Sequence, residues 1–316
     1  MLERRRFCQA LIAGGGMTVL QPSQQARAIR QAGPMSDQKL NDKTIALALG
    51  GGAAKGIAHI PVLEGFDELG VRPTVIAGTS IGAIIGACYA SGMSGKEIRT
   101  YTLELFESRR ELLRRLFSGN ASSWLSIFSL SSSAIISPER LLDVVLPDNV
   151  PETFEDLPIP LHIVATDFRS QSQVVLEHGK LLPAIGASAA LPALLSPIEL
   201  DGRLLIDGGF VNPTPFDVLT DLAQFTVAVD VTGFIIEPGQ DQPGTVDALV
   251  GATQIALQTI VKEKIKCAHP DLLLRPKVQN FQSMDFYSTV EILEAAEPMK
   301  EALKRGIGDL LDARDL

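Results

Sequence analysis

Three short segments carry the residue types that acyl-transfer chemistry needs. Ser80 lies in Gly78-Thr79-Ser80-Ile81-Gly82, between an apolar run that reads as a strand and a small-residue run that reads as a helix. A serine on such a turn exposes its hydroxyl, and small neighbours let the backbone crowd the flanking strand and helix. The helix N-terminus beneath it favours negative charge developing on a substrate. Gly50-Gly51-Gly52-Ala53-Ala54-Lys55-Gly56 follows the first apolar run. Such a loop presents consecutive backbone N–H groups at a helix start, suited to a phosphate or an oxyanion. Asp207-Gly208-Gly209 closes a later apolar run and places a carboxylate on a tight turn.

Each segment also has a plain reading. Ser80 can be a helix N-cap, with Gly78, Gly82 and Gly86 serving close packing. The glycine loop can be a turn with a solvated lysine, and Asp-Gly is a common turn dipeptide. Nucleotide binding fails on spacing. A dinucleotide fingerprint needs glycine where Lys55 stands, and a P-loop needs lysine where Ile57 follows Gly56. The functional reading left for the loop is an oxyanion hole, with Lys55 pinning it or adding positive charge.

The elements that must position these residues alternate. Residues 44–49 read as a buried strand. Ile57, Ile60, Leu63, Phe66 and Leu69 recur at helical spacing, and Gly70 supplies the stop. Residues 73–77 read as a second strand, 81–90 as a helix and 96–117 as a longer amphipathic helix. Strand character returns at 161–166, 173–176, 203–206, 226–231 and 271–274. This order predicts an α/β layered fold with a mainly parallel central sheet. One domain is expected over 44–316, behind a short extension at 29–43.

The 316 residues carry a formal charge of −9, which argues against a nucleic-acid partner. Neither the three cysteines nor the four histidines stand at metal-ligand spacing. Residues 1–28 read as an export signal. Arg4, Arg5 and Arg6 precede a modest apolar stretch, Phe7 to Leu20, and the segment ends at a small-x-small site, Ala26-Arg27-Ala28. The Arg-Arg-x-Phe order and the glycines in the stretch fit a twin-arginine signal, hence an exported or periplasmic protein. Losing four arginines and Glu3 would take the charge from −9 to −12. The alternative is a cytoplasmic protein starting at Met35. Arg109, Arg110, Arg114 and Arg115, with Trp124 beyond, form the one basic and aromatic stretch suited to a membrane surface; a solvated helix face is the plain alternative.

Taken together, the three segments resemble the patatin-like phospholipase family. The resemblance continues through Ala58-His59-Ile60, Ala165-Thr166-Asp167, Ala187-Ser188-Ala189-Ala190-Leu191-Pro192 and Asn212-Pro213-Thr214-Pro215. It covers about residues 44–230, closest in flavour to the bacterial branch related to neuropathy target esterase. It implies a three-layer α/β/α sandwich and a serine acyl hydrolase acting on phospholipid, lysophospholipid or simple esters, with no cofactor. Ser80 would be nucleophile, Asp207 base, and the amides of Gly51, Gly52 and Ala53 the oxyanion hole, with Gly50, Lys55, Gly56, Gly78, Gly82, Gly208 and Gly209 as supporting motif residues. The family loop often reads Gly-Gly-Gly-x-[Arg/Lys]-Gly, and Ala53 stands here at its third glycine. Alanine keeps the amide but resists positive φ.

An ordinary aspartate, pKa about 3.9, is a poor base for a serine hydroxyl, so the dyad requires burial to raise it. The rival is an α/β-hydrolase triad of Ser80, Asp207 and His269, which match its chain order. A non-catalytic lipid-binding protein of the same fold is a further alternative. His59 is expected to pack the first helix, and His178 to be exposed. Asp167 and Asp217 are expected in turns and caps. Ser188 is the next serine to test as nucleophile.

Overall fold

Ile45–Leu49 (β1) is five buried apolar residues in succession, the pattern of a strand covered on both faces. The computed structural model describes residues 44–108, 137–192, 194–233 and 245–314. The export segment, the extension at 29–43 and the patch of Arg109, Arg110, Arg114, Arg115 and Trp124 lie outside the described residues.

After β1 the glycine loop tightens into a 3-10 turn, Ala53–Ala58, and continues as α1, His59–Glu68. Gly70 takes φ +67 and ends it, as expected. Then come β2 (Val75–Thr79), α2 (Ile81–Ala90), α3 (Gly95–Ser108) and α4 (Pro138–Val145). The chain proceeds through β3 (Leu161–Asp167), β4 (Ser172–Leu176), α5 (Leu181–Ala189), β5 (Ile198–Leu200) and β6 (Arg203–Asp207). It closes with β7 (Phe225–Val229), α6 (Thr245–Ile265), β8 (Leu272–Leu274), α7 (Thr289–Ala296) and α8 (Pro298–Arg314). β2 lies two residues later than the sequence pattern suggests. Gly78 and Thr79 look like the start of a turn, yet both pair in register with Ile163 and Val164. The helix expected over 96–117 is described only to Ser108.

Hydrogen-bonded neighbours in the sheet follow the path β5-β6-β3-β2-β1-β7-β8, with β4 also paired to β3. β3, β2, β1, β7 and β8 run parallel; β4, β5 and β6 are antiparallel to their neighbours. On one face Ala46, Ala48, Ala77 and Ala228 pack on Phe216 and Leu219, with Ile265 against them. Gly86 of α2 lies against Ile76, Leu161 and Leu49. Helical structure therefore covers both faces, the expected α/β/α layering.

One detail of register positions the site. β4 and β2 both pair with Ile163 and Val164, so they occupy opposite edges of β3. β6 pairs with Ala165, Thr166 and Asp167, whose other edge β4 occupies, so β6 takes up the edge that β2 leaves. The C-terminal ends of β2 and β6 thus meet head to head. Thr79 stands opposite Val164 and Asp207 opposite Ala165.

Candidate active site

Ser80 follows β2 directly and adopts φ 55, ψ −122, a conformation that strains a residue with a side chain. The helix that follows is packed tightly. A Cβ on Gly82 would come within 2.1 Å of the Leu49 carbonyl, so α2 is pressed onto the end of β1 as only glycine allows. Ser80 occupies the N-cap position of α2, but its side chain makes no cap hydrogen bond. Its hydroxyl donates to Asp207 Oδ2 at 2.7 Å.

Asp207 is buried, and its other oxygen, Oδ1, accepts the Gly209 N–H at 2.7 Å. Thr166 Oγ1 donates to the Asp207 carbonyl at 2.8 Å. A Cβ on Gly208 would meet the Val164 carbonyl at 2.1 Å, so this glycine is what lets the carboxylate strand come so close to β3. Burial pushes the Asp207 carboxyl up to about 6, against the lowering pull of the Gly209 N–H and the Ser80 hydroxyl. This is the raised basicity that the dyad reading requires.

The glycine loop lies beside the serine: a Cβ on Gly51 would sit 3.3 Å from Ser80 Cβ. Its amides are not equivalent. Gly50 N–H donates to Val229 O at 3.0 Å, and Gly51 N–H to Pro213 O at 2.8 Å. The Gly51 amide is therefore spent on the neighbouring segment, which corrects its expected place among the oxyanion donors. The N–H groups of Gly52 and Ala53 have no intramolecular partner among the described residues, while Ala54 N–H donates to Ser283 O at 2.9 Å. Ala53 takes φ 50 despite its Cβ, so the strain feared for the third position is present and the amide is retained.

Two buried side chains anchor this loop. Lys55 Nζ donates to the Gly233 carbonyl at 2.5 Å and to Gln254 Oε1 at 3.2 Å. Burial pulls its ammonium down to about 8, partly opposed by the charge of Asp230. The solvated-lysine reading thus gives way to a pin. His59 Nε2 donates to the Gly50 carbonyl at 2.7 Å, and its Nδ1 has no partner among the described residues. Protonating Nδ1 would bury an unpaired donor, and burial holds this imidazole near 4, hence neutral.

His269 stands apart. It is exposed just before β8, whereas Ser80 follows the C-terminal end of β2 in the same parallel array. Asp207 meets Ser80 with no imidazole between them, so the Ser80/Asp207/His269 triad is not assembled. The reason is topological: the loop carrying His269 feeds the N-terminal end of its strand. His178 is exposed in a turn, as expected. Asp167 accepts the Arg169 N–H at 2.9 Å in a turn. Asp217 does not act as a cap alone; it accepts from Asn212 Nδ2 at 2.9 Å and pairs with Lys264. Ser188 is fully buried, its hydroxyl bonded to Val164 O and to the Ser80 N–H. As the next serine to test it offers no free hydroxyl; Gln254 and Gly233, which hold Lys55, carry no local signal in the sequence.

A model of the patatin-like phospholipase family matches residues 47–220. The chain is similar to an uncharacterized NTE family protein of Mycobacterium tuberculosis, 37% identical over 205 residues, 65% of this chain and 53% of that one. It is 29% identical over 282 residues to patatin-like phospholipase domain-containing protein 6 of Mus musculus, covering 78% of this chain and 19% of the relative. The chain therefore spans about half the length of the mycobacterial relative. Among solved structures, VipD from Legionella pneumophila aligns with a TM-score of 0.45 at 14% identity, over 86% of this chain and 67% of that one.

Proposed function

The chain belongs to the patatin-like phospholipase family, in the branch that includes the NTE family proteins, and from that premise we propose that it is a serine acyl hydrolase of lipid carboxylic esters working through Ser80 and Asp207. The observation that carries the proposal is the 2.7 Å contact between Ser80 Oγ and a buried, basic Asp207. In this reading Ser80 Oγ attacks the ester carbonyl carbon and its proton passes to Asp207 Oδ2. The carbonyl oxygen becomes an oxyanion, met by the N–H groups of Gly52 and Ala53. Collapse expels the alcohol, which takes the proton back from Asp207, and leaves an acyl group on Ser80. Water then repeats the sequence on the acyl-enzyme and frees the acid.

No histidine is needed, because the base is made stronger by burial instead. Its proton transfer is direct, from donor to acceptor in one hydrogen bond. The setting we propose is an exported enzyme that meets lipid at a surface, from the twin-arginine pattern and the basic and aromatic stretch of Arg109 to Trp124; cell fractionation tests the first part. The activity is tested on phospholipid, lysophospholipid and p-nitrophenyl esters, with fluorophosphonate labelling in parallel. Wild type should turn over at least one class and label once. Labelling or turnover that persists in Ser80→Ala protein overturns the assignment.

A further inference from the structure

Ser80 and Asp207 come from strands that abut on one edge of β3, but strand pairing alone does not set the distance between their side chains. Ser80 lies beyond the last paired residue of β2, Thr79, and its backbone is strained. Relaxation of that strain would swing Oγ away from the carboxylate. Something must hold the Ser80 peptide against it.

The last turn of α5 is placed to do so. Ser188 Oγ accepts the Ser80 N–H at 2.8 Å and donates to the Val164 carbonyl at 2.6 Å. Val164 is the β3 residue opposite Thr79, and the next residue, Ala165, stands opposite Asp207. Two residues past Ser188, the Ala190 carbonyl accepts the Asp207 N–H at 3.0 Å. One short stretch of chain therefore grips the backbone of both reacting residues, while β3 joins them from behind. Ser188 is 0% exposed, and its single O–H is committed to a carbonyl, which is no base. It is unsuited to attack a substrate.

We infer that Ser188 is a positioning residue: its hydroxyl, oriented by Val164, holds the strained amide of Ser80 so that Oγ stays in line with Asp207. The inference rests on the Ser80–Asp207 reading of the site. Ser188→Ala leaves the Ser80 N–H and the Val164 carbonyl unpaired in a dry place and frees the elbow to relax. Ser188→Cys keeps the volume but supplies only a weak acceptor and donor, and Ser188→Thr keeps both hydrogen-bonding functions.

The experiment measures kcat, KM, the rate of fluorophosphonate labelling of Ser80 and the melting temperature for the three variants. A misplaced reacting group costs about 10²-fold. We expect the alanine and cysteine variants to lose kcat and labelling rate on that scale with KM little changed, and threonine to recover much of both. Wild-type kcat and labelling in a folded alanine or cysteine variant overturns the inference. So does a loss confined to KM, or a threonine variant of wild-type stability that recovers nothing. Should alanine fail to fold, the volume-matched cysteine decides. Ser80→Ala is run alongside. Activity surviving in Ser80→Ala defeats the reading on which this rests, whereas an inactive Ser80→Ala beside unimpaired Ser188 variants defeats the positioning role alone.

Discussion

Ser80 and Asp207 are held by neutral hydrogen bonds from β3 and α5, elements that already pack on one another, whereas the loop from Gly50 to Gly56 is tied down by two buried ionisable side chains. Lys55 reaches across 178 residues of sequence to the Gly233 carbonyl, while His59 closes back on Gly50 from the next helix. In the proposed mechanism the scaffold on the serine side does not titrate but the reacting carboxylate does. On the amide side the proposed donors are backbone N–H and the scaffold titrates. The two halves should therefore answer differently to pH and to substitution.

The largest effect is expected from removing the base. Asp207→Asn keeps the shape and the contact with Gly209 but cannot take a proton, and should lower kcat by about 10²–10⁴-fold. His269→Ala should leave turnover unchanged. Stability should move the other way. The Asp207 carboxyl is raised from 3.8 to about 6 in the fold, so the stability linked to its neutral form is present below pH 3.8 and lost as pH rises through 6. Relative to wild type, the asparagine variant should melt at higher temperature at pH 8 and gain less at pH 4. Equal differences at both pH values would mean that Asp207 is not buried as a weak acid.

Next comes the loop anchor. Lys55→Met removes the pin and leaves the Gly233 carbonyl and Gln254 without their donor, with an expected loss of about 10²-fold, comparable to removing one oxyanion donor. The pH profile separates the halves more finely. kcat/KM should fall toward zero below about 6, as Asp207 is protonated. Above about 8 it should decline only to a plateau, because neutral Lys55 still donates hydrogen bonds while losing its attraction to Asp230. Lys55→Arg, which the family motif accommodates, should abolish the alkaline decline and leave the acid limb in place. An alkaline limb that survives in the arginine variant would remove Lys55 from the account.

The smallest effect is expected at Ala53. Its φ of 50 is unfavourable for an L-residue, and Ala53→Gly should relieve about 1 kcal/mol of it. A modest rise in melting temperature with kcat unchanged would show that the strain is tolerated rather than used. A fall in kcat would show that the alanine stiffens the loop for its task.

Much of the fold was legible in advance because its signals are local. The buried run of β1, the small-residue helix α2 and the Gly70 stop each depend on neighbours a few residues away. The two-residue shift of β2 shows where locality fails: Gly78 and Thr79 look like a turn and become strand only because β3 offers paired partners. β5, three residues long, carries too little pattern to read without the edge of β6 beside it.

The sequence by itself determined which atoms are available. Ser80 on a strand-to-helix turn, Asp207 before two glycines and a run of amides after β1 are each written in a few consecutive residues, since backbone turns are specified by the residues that make them. Only the tertiary structure decided which of these atoms meet. Asp207 reaches Ser80 because β6 takes up the edge of β3 that β2 leaves. Its carboxyl becomes basic because that junction is dry. Gly51 drops out because Pro213 claims its amide, and His269 because its loop serves the opposite end of the sheet. Burial and long-range hydrogen bonds are properties of the packed chain, and no segment of it contains them alone.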